Sequence, residues 1–272
     1  MTAPAMAAPS APADTIRARS GGFFHDLIAV AIRALKQIPR DPEGVIPALV
    51  VPVFFFVVNV GSLQKVAEQQ PGFDFKAFQV PVAIIFAVTG ISRASTLVAD
   101  IQGGYFDRML ITPMNRLALL LGLMIADFAL VVGLSIPVLG MGYAVGVRFA
   151  TGILGILVFI LMAGLWGLMF AGFPYAIALK TGSPAAVNSS FIIFFPFAFL
   201  TTSFLPKEAL TDWLAAVATW NPVTYLLEAL RSLIMVGWSG EALLKGLGAI
   251  VVVGVISQGL AFSALRGRTK NN

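Results

Sequence analysis

Hydrophobic residues along this chain gather into long runs, and the segments between the runs hold most of the polar side chains. Crossing the hydrocarbon of a bilayer takes about 20 mostly apolar residues. Six stretches meet that demand, roughly Val45–Leu63, Gln79–Gln102, Leu117–Val147, Gly152–Leu179, Ala186–Leu205 and Leu244–Leu265. The third and fourth are long enough to tilt or to project past the lipid. Pro47, Pro52, Pro81, Pro137, Pro174 and Pro196 fall inside these runs. Membrane helices tolerate proline where neighbouring groups satisfy the freed carbonyls.

Three further stretches are patterned without being spans. Before the first run, Phe24, Leu27, Ile28, Ala31, Leu35 and Ile38 recur at helical spacing, with Arg33, Lys36 and Arg40 largely on other faces. This predicts an amphipathic helix lying in the membrane interface, ended by Pro39 and Pro42. Between the second and third runs, "GGYFDRMLITPMNR" predicts a short helix set off by Gly103-Gly104 and Thr112-Pro113. Between the last two runs, Pro206–Trp238 is also apolar, but Asn221-Pro222 breaks it into two pieces too short to cross. We read it as a helical hairpin that dips into the outer face and returns, so that the last run carries the C-terminus back inside.

Composition agrees. Of 272 residues, 58% are hydrophobic and 11% charged, whereas an ordinary soluble domain is about 25% charged. The expected fold is an all-α polytopic membrane protein with both termini in the cytoplasm. Orientation follows from the cations. Arg17, Arg19, Arg33, Lys36, Arg40, Arg93, Arg108, Arg116, Lys180, Arg266, Arg268 and Lys270 fall on the cytoplasmic side. They outnumber Lys65, Lys76, Arg148, Lys207, Arg231 and Lys245 two to one. Residues 1–22, rich in Ala, Pro and Ser and without a signal-peptide core, are expected to be a disordered cytoplasmic tail. The rest, 23–272, forms one transmembrane domain.

Chemistry is scarce. There is no cysteine and one histidine, His25, which leaves neither thiol chemistry nor an imidazole metal site. No G-x-x-x-x-G-K-[ST], G-x-S-x-G or H-E-x-x-H run occurs, so the chain is expected to be non-catalytic and to bind no cofactor directly. Arg93 and Asp127 are the conspicuous charges within spans. Each lies ten residues from the cytoplasmic connection, about 15 Å along its helix, and an ion pair between them would fix the register of spans two and three. On the outer hairpin, Glu228 and Arg231 are three apart and so able to pair on one helical face. Phe191–Leu200 would serve either a greasy path or simple packing, and Gly142 and Gly146 form a G-x-x-x-G packing step.

The motifs "GYFDRMLITPMNR" (Gly104–Arg116) and "NPVTYLLEALR" (Asn221–Arg231) resemble those of the ABC-2 family of ATP-binding-cassette exporter permeases, including daunorubicin-resistance-type exporters. The likeness covers about Phe23 to Leu265. It implies that Tyr105, Phe106, Asp107, Arg108, Met109 and Leu110 belong to a coupling helix that docks on a separate ATPase subunit holding ATP and Mg2+. It implies a second permease chain, a cell-membrane location, and export of a hydrophobic drug or lipid-like molecule. Asn221, Pro222, Glu228 and Arg231 would form the outer hairpin. Membrane lipid is the expected surround, and no nucleic-acid partner is expected. The alternative is an ion-gradient-driven transporter, for which Asp127 would be the only clear midmembrane acid.

Overall fold

The computed structural model describes residues 22–69, 72–89, 92–106, 108 and 116–270. The described residues are helical throughout, joined by turns and short loops, with no strand among them. Helix α1 spans Phe23–Gln37, α2 Pro42–Ala67, α3 Phe75–Thr89, α4 Ala94–Gln102, α5 Arg116–Ala144, α6 Gly152–Phe170 and α7 Gly172–Thr181. The remaining helices are α8 Pro184–Ser189, α9 Phe191–Phe199, α10 Asp212–Trp220, α11 Pro222–Arg231 and α12 Gly240–Lys270. A π-helical turn, Ser232–Val236, follows α11. The tail at 1–21 and residues 109–115 of the predicted short helix lie outside the described residues.

Among the described residues, five segments are long and apolar enough to cross a membrane: Pro42–Ala67, Phe75–Gln102, Leu117–Ala144, Gly152–Thr181 and Gly240–Arg268. They coincide with five of the six predicted runs. The remaining run, Ala186–Leu205, differs from expectation. Its apolar helical stretch is the shorter Pro184–Phe199, split at Ser190 between α8 and α9. Beyond Phe199 the backbone leaves the helix because its groups are used elsewhere. Asn221 Nδ2 donates to the carbonyls of Phe197 and Leu200 at 2.9 and 2.8 Å. Gln79 Nε2 donates to the carbonyls of Ser203 and Phe204, and the Thr201 and Thr224 hydroxyls share a 2.6 Å bond.

Local sequence explains the starts. Asp41 accepts from the Gly44 N–H at 3.1 Å and Pro42 occupies the first turn of α2, a combination that satisfies one orphan donor and removes another. Asn221 and Pro222 repeat the device at α11, with Val223 N–H on Asn221 Oδ1 at 3.0 Å. Core packing divides into two bodies. One surrounds Trp166, Phe159 and Leu226; the other joins α1, α4, the start of α5, α7 and the end of α12. Close approaches rest on glycine. At Gly172 an added Cβ would lie 2.5–2.6 Å from the carbonyl carbon and oxygen of Ser257, so α7 and α12 touch backbone to backbone. Gly142 lies against Val80, as the G-x-x-x-G reading expects, whereas Gly146 faces open space and serves a turn at φ +98°.

The two ends of the burial scale are α3, almost wholly enclosed, and α2, whose Ile46, Val50, Val51, Phe54, Val57 and Val58 are exposed. An all-round apolar helix with a bare face is expected where lipid or another chain supplies the solvent.

Candidate functional site: the coupling junction

The second of the two packed bodies lies at the end of the bundle where α1, the exit of α4 and the C-terminus of α12 converge. Arg33, on α1, reaches Asp100 on α4 with both terminal nitrogens, Nη1 at 3.1 Å and Nη2 at 2.7 Å. This fork is the geometry in which guanidinium recognises carboxylate best. The hydrogen bond to Asp100 raises the Arg33 pKa above its ordinary value, outweighing the cost of partial burial. The same guanidinium lies 4.1 Å over the ring of Tyr105, a cation–π contact. Two residues past α4, Gly104 takes φ +68°. This left-handed backbone favours glycine and turns the chain sharply into Tyr105 and Phe106.

Of the residues expected to dock on a partner, Tyr105 and Arg108 are exposed. Phe106 is not: it is 1% exposed and packs in the same core as Ala34, Leu97, Leu119 and Leu179. The expectation of an outward anchor is corrected here, since the ring is already buried within its own chain. Arg268, near the end of α12, sits 5.8 Å from that ring and donates to the Leu179 carbonyl at 3.0 Å. Gln102 donates to the Gly182 carbonyl at 3.0 Å. The exit of span two is therefore tied to α1, to the loop after α7 and to α12. Asp107, Met109 and Leu110 lie outside the described residues.

Deeper in the bundle, span two is interrupted. Helix α3 ends at Thr89, and α4 begins at Ala94 with Arg93 as its cap. The interruption exposes a backbone N–H inside the bundle, and Asp127 supplies its acceptor. Oδ1 takes the Arg93 N–H at 2.8 Å, and Oδ2 takes the Tyr175 hydroxyl at 2.8 Å. The structure brings Arg93 and Asp127 together, but not as the predicted ion pair. The Arg93 guanidinium turns instead to Asp41, Nη1 to Oδ2 at 3.1 Å. The physical reason is the broken helix: the freed amide is fixed in direction and claims the buried carboxylate, while the long side chain reaches a half-exposed partner at the start of span one. Four elements meet here, through Asp41, Arg93, Asp127 and Tyr175.

At the opposite end, α11 is held by Arg231. Its Nε donates to the Phe78 carbonyl at 3.2 Å, Nη1 to Thr202 Oγ1 at 3.0 Å and Nη2 to the Thr202 carbonyl at 2.8 Å. Its guanidinium stacks 3.4 Å from the Phe78 ring centroid. The expected Glu228–Arg231 ion pair does not form. Arg231 turns inward to backbone acceptors while Glu228 is exposed, and both line a cavity of about 270 Å³ with Lys207 and Met235.

Sequence reasoning missed Asp41, Asp100, Tyr175 and Thr202 as partners. Asp41 before Pro42 carried a legible capping signal, and Asp100 was one of few acids near a span end. Nothing in the linear pattern marked Tyr175 or Thr202, which meet their partners 48 and 29 residues away along the chain.

A family model described as ABC-2 type transporter matches residues 25–235. The probable doxorubicin resistance ABC transporter permease protein DrrC of Mycobacterium tuberculosis is 26% identical over 209 residues, covering 75% of each chain. The daunorubicin resistance ABC transporter permease protein DrrB1 of Streptomyces coeruleorubidus is 26% identical over 208 residues, covering 74% of this chain and 72% of its own. The putative transport permease ycf38 of Cyanophora paradoxa is 22% identical over 233 residues, 78% and 74% of the two chains. A multi-pass helical bundle with this match over most of its length belongs to the ABC-2 type transporter family.

Proposed function

We propose that this chain is the non-catalytic transmembrane subunit of an ATP-driven exporter. A separate ATPase subunit binds ATP and Mg2+ and docks at the cytoplasmic end, on Tyr105, Arg108 and the residues that follow. The observation that carries the reading is the junction built by Arg33, Asp100 and Tyr105. A surface segment laced to three helices transmits displacement, because packed helices shift as bodies rather than deforming continuously. Arg93 and Asp41 extend that linkage to the start of span one. Both termini are cytoplasmic, in the cell membrane. Pro184–Phe199 with the turn residues after it makes a sixth crossing, and α10 and α11 form the re-entrant outer hairpin. A second permease chain and lipid cover the bare faces of α2 and α12. The relatives' names support a hydrophobic or amphipathic drug or lipid-like cargo, and an apolar bundle suits a molecule that partitions into lipid.

The test is reconstitution of the full chain in vesicles with and without the ATPase that co-purifies with it, reading efflux of a fluorescent anthracycline. Efflux that requires both ATP and the ATPase supports the reading. Uphill efflux by the chain alone on a proton or sodium gradient overturns it in favour of a secondary transporter. ATP-dependent efflux that persists in Tyr105→Asp would leave the exporter but remove the docking site.

A further inference from the structure

Helix α1 presents a buried face, a bare apolar stripe and a basic flank. Val30, Ala31 and Ala34 face inward. The crossing with α5 is close, because a Cβ at Gly122 would lie 2.7 Å from that of Val30. Gly122 is six residues into α5, so α1 crosses about 9 Å from the end of that helix, at interfacial depth. Phe24, Ile28 and Ile32, one turn apart, are 74%, 55% and 46% exposed. Beside that stripe Ala29, Ile32, Arg33, Lys36, Gln37 and Arg40 line a cleft of about 380 Å³. Arg33 is committed to Asp100. Lys36 and Arg40 are exposed, and among the described residues neither forms an ion pair.

We propose that this cleft binds the phosphate headgroup of an anionic phospholipid, whose acyl chains lie along Phe24, Ile28 and Ile32. Charge complementarity and the continuity of the stripe with the cleft select this occupant. Two cations without carboxylates suit a phosphodiester. Three bare apolar side chains along one flank suit hydrocarbon, which a soluble anion does not bring. Basic side chains beside an interfacial apolar face are the arrangement that captures anionic lipid. The site goes beyond the exporter reading and requires no ATPase. Bound lipid would hold α1 in the interface, and with it the Arg33–Asp100 fork.

The chain has no cysteine, so His25→Cys, at a side chain 75% exposed, provides one labelling position beside the stripe. The labelled full chain is placed in phosphatidylcholine vesicles containing equal mole fractions of brominated phosphatidylglycerol or brominated phosphatidylcholine, and quenching is read. The proposal expects a preference of about fivefold or more for phosphatidylglycerol, the effect of one cation at an anionic surface. It expects Lys36→Gln with Arg40→Gln to bring the preference to unity, and Lys36→Gln alone to reduce it. Equal quenching by the two lipids overturns the proposal, as does a preference that survives the double change. Displacement by inorganic phosphate overturns it in favour of a soluble anion. If the double variant keeps its lipid preference but no longer co-purifies with the ATPase, the cations belong to a protein interface and the lipid site is refuted. None of these readouts depends on transport, so its failure and that of the exporter reading are separable.

Discussion

Asp127 receives the backbone amide of Arg93, not its guanidinium, and the bond is 2.8 Å long. The carboxylate is 2% exposed and closes its second oxygen on the Tyr175 hydroxyl. Asp127 is thus the cap of an interrupted helix and joins spans two, three and four at one point. A buried carboxylate is costly unless its acceptor sites are met, which is why the two donors matter more than the charge of the neighbouring arginine.

Removing one donor tests this directly. Tyr175→Phe should destabilise the purified chain by about 1–3 kcal/mol, the cost of stranding a buried acceptor. Asp127→Asn should also destabilise it. The double variant should lose less than the sum, with a coupling of about 1 kcal/mol in thermal or denaturant unfolding. Strict additivity would mean that the two groups do not act together.

At the junction, Tyr105 and Phe106 should separate cleanly. Phe106→Ala empties a packed core position and should cost about 3 kcal/mol or more. Tyr105→Ala, at a partly exposed ring, should change stability by less than about 1 kcal/mol yet weaken ATPase association measured by co-purification. Equal losses of stability would contradict the assignment of one ring to the core and one to the surface.

The Arg33–Asp100 fork is only partly buried, so its worth to stability is small, within about 1 kcal/mol. Its geometric role is larger. Arg33→Lys keeps the charge but loses the fork and the flat face over Tyr105. Export driven by ATP should fall in both Arg33→Lys and Arg33→Ala, with folding preserved. Full export by the lysine variant would show that charge alone suffices.

Gly172 and Gly254 offer a contrast in what a methyl group meets. At Gly172 it meets the Ser257 backbone, which cannot move without shifting α12. At Gly254 it meets the Met169 side chain, which can rotate. Gly172→Ala should therefore destabilise by about 1–3 kcal/mol and Gly254→Ala by clearly less, read as thermal midpoints in detergent.

Replacing Arg231 by alanine should loosen the pair of helices α10 and α11, because the Phe78 and Thr202 carbonyls lose their donors. Faster proteolysis between Pro206 and Trp220, with the rest of the chain intact, is the expected readout. Unchanged cleavage would mean that Asn221 alone secures the pair.

Much of this architecture was written along the chain. Apolar runs of membrane length, a basic amphipathic helix before them and two Asn/Asp-Pro starts follow from local rules of period, length and capping, and those rules need no tertiary context. The family motifs at Gly104–Arg116 and Asn221–Arg231 were legible for the same reason. What the line of residues left open was the identity of partners. Arg93 had two carboxylates within reach, and a broken helix gave the nearer one to its amide. Phe106 read as an anchor because the family resemblance puts it on the docking helix, and a left-handed glycine turned it into the core. Arg231 read as half of a surface pair, and the residues after Pro184–Phe199 offered it the Thr202 carbonyl and hydroxyl instead. Hydrophobic length is a property of a segment and can be summed from sequence. Which donor meets which acceptor depends on where helices stop, and that was decided only when the spans packed against one another.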